Sequence, residues 1–201
     1  MIYGTKEQKL KYLPKLASGE WVASYCLTEP GSGSDVQSLQ TKAVEEKDGS
    51  FTLEGTKIWI SNGAYANFFT VFARLVSQDQ NNNGKICCFL VEKSFGNIEI
   101  GKRENKMGIN GSATVSVTFN GTKVPKENLL GAKGKGFHIA VHILNNGRHG
   151  LAAATCGAIK RALDEAINHS KQRKQFGTYI SEFGAIQVNL IYFRPNFCLS
   201  T

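Results

Sequence analysis

YCLTEPGSGSD, residues 25–35, is the most informative stretch of this sequence. A strand-like start at Tyr25, Cys26 and Leu27 runs into a loop of glycines and hydroxyl side chains. Such a loop can direct several backbone N–H groups at one anion, and serine and threonine hydroxyls add further donors. Ordinary surface turns have the same composition. Taken alone, the stretch therefore predicts either a turn or an anion site.

Three further stretches stand out along the chain: KIWISNG at residues 57–63, LNNGR at 144–148 and RKQFG at 173–177. Trp59 by itself is expected to be a core aromatic, because an indole buries a large area and needs only one N–H partner. The guanidinium of Arg148 suits phosphate or nucleotide recognition, although an arginine on a helix is also an ordinary surface ion.

Between Trp21 and Gly131 the apolar pattern has a period of two, which is typical of strands. Turn signals at Asp48-Gly49, Asn81–Gly84 and Asn120-Gly121 separate short apolar runs. The candidate strands are Phe51–Leu53, Phe68–Val76, Lys85–Glu92 and Thr114–Phe119. Short strands at this spacing predict an antiparallel barrel or sandwich.

Helical patterns lie on both sides of this region. Thr5 and Gln8 fit a capping box, and the helix that follows should stop at Gly19 and be kinked or split at Pro14. A second, long apolar stripe begins after Gly136 and predicts packing in a bundle or against a subunit. Its glycines predict close backbone approach or a kink: Gly147, Gly150 and Gly157.

The predicted fold class is α+β, with an antiparallel β barrel or sandwich flanked by the end of one helical domain and the start of a helical bundle. The boundaries are residues 1–20 for the first helical part, 21–131 for the β domain, 132–191 for the second helical part and 192–201 for a divergent tail. Pro195 and the loss of the helical period mark that tail.

The formal net charge of +8 favours anionic partners. Because the basic residues are scattered, no nucleic-acid face is expected.

The five cysteines lack CxxC spacing and are interpreted as reduced core residues. His138 and His142 stand four apart on the long helix, but no third ligand is evident, so no metal site is expected.

As an ordered set, the four stretches resemble the acyl-CoA dehydrogenase family over nearly the whole chain, and LNNGR and RKQF look most like its very-long-chain branch. The resemblance implies FAD as cofactor, with Trp59 against the flavin ring and the Ser61 hydroxyl within reach of the reactive flavin nitrogen. Flavin-contacting residues carried over from the family are Tyr25, Leu27, Thr28, Gly33, Ser34, Trp59, Ile60, Ser61, Arg173, Gln175 and Phe176.

The resemblance further implies an acyl-CoA substrate contacted by Ser34, Asn145 and Arg148. Asn145 departs from the acidic residue of some relatives. In the family, the segment matching Arg173, Gln175 and Phe176 reaches the FAD of a neighbouring subunit, which implies a homo-oligomer. Also implied are an electron-transferring flavoprotein as acceptor, a mitochondrial location without a presequence in this chain, and peripheral membrane association of a full-length form.

Catalysis in the family requires a glutamate that removes the α-proton while the β-hydrogen leaves as hydride to flavin. A minority of members carry this glutamate at the position matching Gly147, and most carry it later than this chain extends. We therefore expect no catalytic residue here and a fragment or isoform that is inactive alone. Two alternatives are a non-catalytic assembly module that pairs with full-length subunits and an acyl-CoA oxidase.

Overall fold

A computed structural model describes residues 2–198 of the 201-residue chain. The chain divides into two compact units, with the boundary between His142 and Ile143. The first unit contains one short helix and a β-sheet, and the second is mainly helical.

Helix α1 spans Lys6–Ala17 and begins with the expected capping box. The Thr5 hydroxyl accepts the Gln8 N–H at 3.2 Å, and the Gln8 side chain accepts the Thr5 N–H at 3.0 Å. Gly19, with a φ of +76°, follows the C-cap residue Ser18. The helix is not split at Pro14, because it continues through that residue and the Pro14 carbonyl accepts the Ser18 N–H at 3.0 Å. The alternative, a kink at Pro14, stays a prediction.

Seven strands form one sheet in the first unit. They are β1 Ala23–Cys26, β2 Lys42–Glu45, β3 Phe51–Ser61, β4 Phe68–Val76, β5 Ile86–Glu92, β6 Ile98–Ile100 and β7 Thr114–Val124. All four sequence-predicted strands are present, and those beginning at Phe51 and Thr114 are longer than predicted. The α+β fold class is confirmed, with an open sheet among the described residues rather than a closed barrel.

The pairing of the sheet is mixed. Four pairs are antiparallel, β2–β3, β3–β7, β4–β5 and β6–β7, as the sequence predicts. Two pairs are parallel, β1–β4 and β2–β4, and correct the expectation of a purely antiparallel sheet. The reason is that β1 and β2 do not reach β4 through a hairpin; they lie one after the other along its edge, β1 opposite Phe68–Val71 and β2 opposite Arg74–Val76.

One expected turn is also corrected. Asn120-Gly121 does not end a strand; β7 continues to Val124. The register against β3 shifts between Leu53 and Glu54, where Gly121 is the extra residue, with a φ of +76°. A glycine can adopt this left-handed backbone without strain, so the Asn-Gly pair marks a β-bulge here.

Both faces of the sheet are covered. The inner face of β4 and β5 contributes Phe69, Val71, Phe89 and Val91 to the core. The outer face carries Phe68, whose ring lies 4.7 Å from that of Tyr12 on α1. The Gln8 amide reinforces the docking of α1 by donating to two main-chain carbonyls, those of Glu127 and Leu129, at 2.8 and 2.9 Å.

Helix α2 spans Gly136–Gln172, followed by a small hairpin of β8 Lys174–Gln175 and β9 Thr178–Tyr179 and by helix α3 Gly184–Cys198. No close approach to Gly147, Gly150 or Gly157 exists within the described chain. Helix α3 continues beyond Tyr192, where the sequence pattern predicted a tail; residues 199–201 lie outside the described residues. None of the described helices is long and apolar enough to span a membrane.

The first residue of α2 provides a test of the packing. A Cβ at Gly136 would lie 2.6–2.8 Å from the main chain of Cys87 in β5. Because main-chain atoms cannot rotate away, we expect Gly136→Ala to lower the free energy of unfolding by at least ~2 kcal/mol. Urea unfolding followed by far-UV circular dichroism measures the change.

Gly147→Ala, in the same helix, is the control. A Cβ there meets nothing within 4 Å, so the gain in helix propensity should raise stability by ~0.5–1 kcal/mol. A Gly136→Ala variant as stable as the wild type would contradict the packing of α2 against β5.

Candidate functional site

A buried ion pair lies where the loop after β1 meets strand β3. The Lys57 ammonium is 2.7 Å from Oε1 of Glu29, and the two side chains are 0% and 4% exposed. Lys57 also donates to the Leu27 carbonyl at 3.1 Å. The Glu29 carboxylate accepts two further hydrogen bonds, from the backbone N–H groups of Gln40 at 2.5 Å and Thr41 at 3.0 Å. Glu29 therefore has a structural role.

Burial and hydrogen bonding act in opposite directions on this carboxylate. Burial raises the pKa of Glu29, but the hydrogen bonds from Gln40, Lys57 and Thr41 outweigh it and hold the pKa below its ordinary value. Burial lowers the pKa of Lys57, and the Glu29 carboxylate offsets only part of that shift. The carboxylate is thus kept ionised and hydrogen-bonded at both oxygens, which makes Glu29 a poor general base.

Two of the sequence-predicted stretches lie side by side. The Ile58 N–H donates to the Thr28 carbonyl at 2.9 Å, and the Ser24 hydroxyl donates to the Ser61 carbonyl at 2.9 Å. These bonds join the YCLTEPGSGSD stretch and the residue before it, Ser24, to the KIWISNG stretch. Chain segments about thirty positions apart are therefore brought into one local surface.

Trp59 is the most unusual residue of this surface. Its side chain is 63% exposed, so the interpretation as a core aromatic is wrong. Its φ is +56°, a left-handed conformation that is an outlier for a bulky residue. The register against β7 shifts between Lys57 and Ile60, so a bulge turns Trp59 away from the core. An exposed indole on strained backbone is characteristic of a functional surface.

The glycine loop beside Trp59 presents open donors. Glu29 and Ser32 exchange two backbone hydrogen bonds, of 2.9 and 3.1 Å, which close the turn. A Cβ at Gly31, within the turn, or at Gly33, after it, would meet nothing within 4 Å. On this surface, the hydroxyls of Thr28, Ser34 and Ser61 form no hydrogen bond to any described residue. The surface therefore offers a flat aromatic ring and several hydroxyl donors.

Other predicted flavin residues are placed differently. Leu27 and Ile60 are 6% and 2% exposed, so they can offer a ligand little beyond their main chain. The Tyr25 ring packs 5.2 Å from that of Phe72, and its hydroxyl is buried without a hydrogen-bond partner among the described residues. Burial raises the pKa of Tyr25 well above its ordinary range. Tyr25 is thus partly buried, with its ring against Phe72.

The remaining predicted residues belong to the second unit. Arg148 donates to Oδ1 of Asn145 at 3.3 Å, one turn earlier on α2. Arg173 precedes the β8–β9 hairpin, and Gln175 lies in β8. Phe176, at the hairpin turn, is 96% exposed with a φ of +51°. As at Trp59, an aromatic side chain is displayed on left-handed backbone.

Sequence reasoning did not predict that Lys57 forms a buried ion pair with Glu29. A signal for it existed, because Phe51, Leu53 and Lys57 occupy alternate positions of β3 and all face the interior. A lysine on the inward face of a strand requires a buried anion. Nothing in the local sequence pairs Lys57 with Glu29, which lies 28 positions earlier in the chain.

Comparison with known proteins shows similarity to acyl-CoA dehydrogenases along most of the chain. Residues 24–122 match the model of the acyl-CoA dehydrogenase middle domain, and residues 134–194 match that of the acyl-CoA dehydrogenase C-terminal domain. A relative in Homo sapiens, the mitochondrial very long-chain specific acyl-CoA dehydrogenase, is 52% identical over 194 residues. That match covers 94% of this chain and 30% of the relative.

Solved structures of acyl-CoA dehydrogenases have the same fold as this chain. An acyl-CoA dehydrogenase from Bacillus anthracis complexed with FAD superimposes with a TM-score of 0.86 at 41% identity, covering 98% of this chain and 33% of that one. Butyryl-CoA dehydrogenase from Megasphaera elsdenii gives 0.84 at 40% identity, covering 97% and 50%. The chain thus spans between about a third and a half of the length of these relatives. With both domain models matched in order, this chain belongs to the acyl-CoA dehydrogenase family.

Proposed function

We propose that this chain binds FAD at the surface formed by the glycine loop and Trp59, as part of a flavoenzyme that oxidises long or very long fatty acyl-CoA. The observation that carries the proposal is the exposed, left-handed Trp59 beside the open hydroxyls of Thr28, Ser34 and Ser61. An indole face suits a planar isoalloxazine ring, and hydroxyls suit its polar edge and the pyrophosphate. These side chains fit the cofactor.

Bound flavin would supply the redox chemistry by accepting hydride from the β-carbon of the substrate. The chain's own residues would position the flavin. Trp59 would cover one face of the ring, Ser61 would donate a hydrogen bond to the flavin, and Thr28 would hold the ring edge. Gly33 and Ser34 would approach the pyrophosphate through the open side of the loop, while Leu27 and Ile60 would support these contacts from the core. The partly buried Tyr25 would lie near the ring edge.

Substrate and partner contacts are proposed from the second unit and from family membership. Asn145 and Arg148 are proposed as acyl-CoA contacts of the second unit, where the hydrogen bond between them would orient the guanidinium. Ser34 is proposed separately as an acyl-CoA contact of the first unit. Arg173, Gln175 and Phe176 would contact the FAD of a second subunit in a homo-oligomer. An electron-transferring flavoprotein would accept the electrons. The very-long-chain relatives support a mitochondrial location.

General-base catalysis is a separate matter. Gly147, which matches the base position of a minority of the family, has no side chain to accept a proton. Glu29 is the carboxylate in the glycine loop, and its oxygens are engaged by Lys57, Gln40 and Thr41. We propose that the 201-residue polypeptide holds flavin without oxidising acyl-CoA by itself.

Flavin binding is tested by titrating FAD into the 201-residue chain and following its fluorescence. We expect Trp59→Ala to weaken FAD binding about tenfold, equivalent to ~1.4 kcal/mol, because the ring loses its aromatic partner. The melting temperature should change little, because a side chain that is 63% exposed contributes little packing to the core.

Leu10→Ala is the matched control, because Leu10 is 67% exposed on α1, an apolar side chain outside the proposed site. Its FAD affinity should equal that of the wild type. Equal FAD affinity in the Trp59→Ala variant would exclude the proposed stacking, and a wild-type chain that does not bind FAD would exclude the site.

Activity is tested by mixing the FAD-loaded chain anaerobically with palmitoyl-CoA and recording the flavin absorption band. We expect no bleaching above background, because a positioned general base contributes typically ~10²–10⁴-fold and neither Gly147 nor Glu29 can act as one. Rapid bleaching that persists after removal of any full-length homologue would show that another residue of this chain takes the proton.

A further inference from the structure

The Glu29–Lys57 pair lies at the origin of the bulge that displays Trp59. Lys57 is the last residue of β3 in register with β7 before the shift, and Trp59 follows two positions later. On the other side of the pair, the ammonium donates to the Leu27 carbonyl at 3.1 Å, immediately before Thr28. The buried Lys57 ammonium therefore joins the two segments of the proposed flavin surface, the loop after β1 and the part of β3 that carries Trp59.

The contacts of the pair are directional. Lys57 sets the position of the loop through one carbonyl and one carboxylate oxygen, and Glu29 anchors the other end of the loop to the N–H groups of Gln40 and Thr41. The Ile58 N–H to Thr28 carbonyl bond, 2.9 Å long, lies between the same two segments that the ion pair joins. An apolar pair of similar volume could fill the space but would lack these directional bonds.

We propose that Glu29 and Lys57 are positioning residues for the flavin site: they set the distance and orientation of Thr28 and the glycine loop relative to Trp59 and Ser61. This inference rests on the proposed function. Neither residue contacts the flavin; both act through the main chain of the segments that do.

The test compares two neutralised ion pairs in the full 201-residue chain. In Glu29→Gln/Lys57→Met the buried pair is replaced by neutral side chains of similar size. The control is Lys11→Met/Glu92→Gln, which removes the 2.7 Å ion pair between α1 and β5. Each protein is characterised by its melting temperature, its FAD dissociation constant and the hydrogen exchange of the Ile58 amide relative to amides of β4 and β5.

We expect the Glu29/Lys57 variant to have at least a tenfold higher FAD dissociation constant. Its Ile58 amide should exchange at least tenfold faster, while amides of β4 and β5 should change only as much as the global stability does. In the Lys11/Glu92 variant, FAD affinity and Ile58 exchange should match the wild type. If the Glu29/Lys57 double variant does not fold, Glu29→Asp, which keeps the charge and withdraws the carboxylate, should raise the FAD dissociation constant at least fivefold.

Three outcomes would overturn the proposal. The first is unchanged FAD affinity and Ile58 exchange in the folded Glu29 and Lys57 variants, which would leave the proposed function intact. The second is an equal loss of both properties in the Lys11/Glu92 variant, which would reduce the effect to global stability. The third is a wild-type chain that binds no FAD, which would overturn the proposed function as well.

Discussion

The geometry of the site depends on the buried contact between Lys57 and Glu29. A fully buried ammonium is costly unless it is paired and hydrogen-bonded, and breaking such a pair typically costs ~3–5 kcal/mol because the remaining charge is left uncompensated. The chain meets this requirement with one carboxylate and one carbonyl from the same loop. That loop is consequently held against β3 in a single register.

This alignment accounts for two features that look unfavourable in isolation. Trp59 exposes most of a large apolar ring and occupies left-handed backbone, and the loop leaves the hydroxyls of Thr28, Ser34 and Ser61 without partners in the described chain. Surrounding structure must compensate for such strain. The core beneath, with Leu27 and Ile60, supplies packing on the other side of the same segments. Rigid support below and open polar groups above are suited to binding a cofactor.

Much of the fold followed from local sequence patterns. The capping box at Thr5, the strands beginning at Phe51, Phe68 and Thr114, and the long helix at Gly136 all lie where periodicity and turn residues indicate. The errors occurred where long-range contacts override local signals. Asn120-Gly121 became a bulge because β3 continues beside it, and the parallel pairing of β1 and β2 with β4 involves strands joined by no hairpin.

The sequence by itself determined the family, the order of the elements and the identity of the two stretches that meet at the site, because these depend on local residue patterns and ordered motifs. Only the tertiary structure decided that Trp59 is exposed, that Leu27 and Ile60 are buried beneath the candidate site, and that Glu29 is paired with Lys57. The physical reason is that exposure and ion pairing depend on contacts between distant residues. A charge on an inward strand position requires a partner, but the folded chain selects which one.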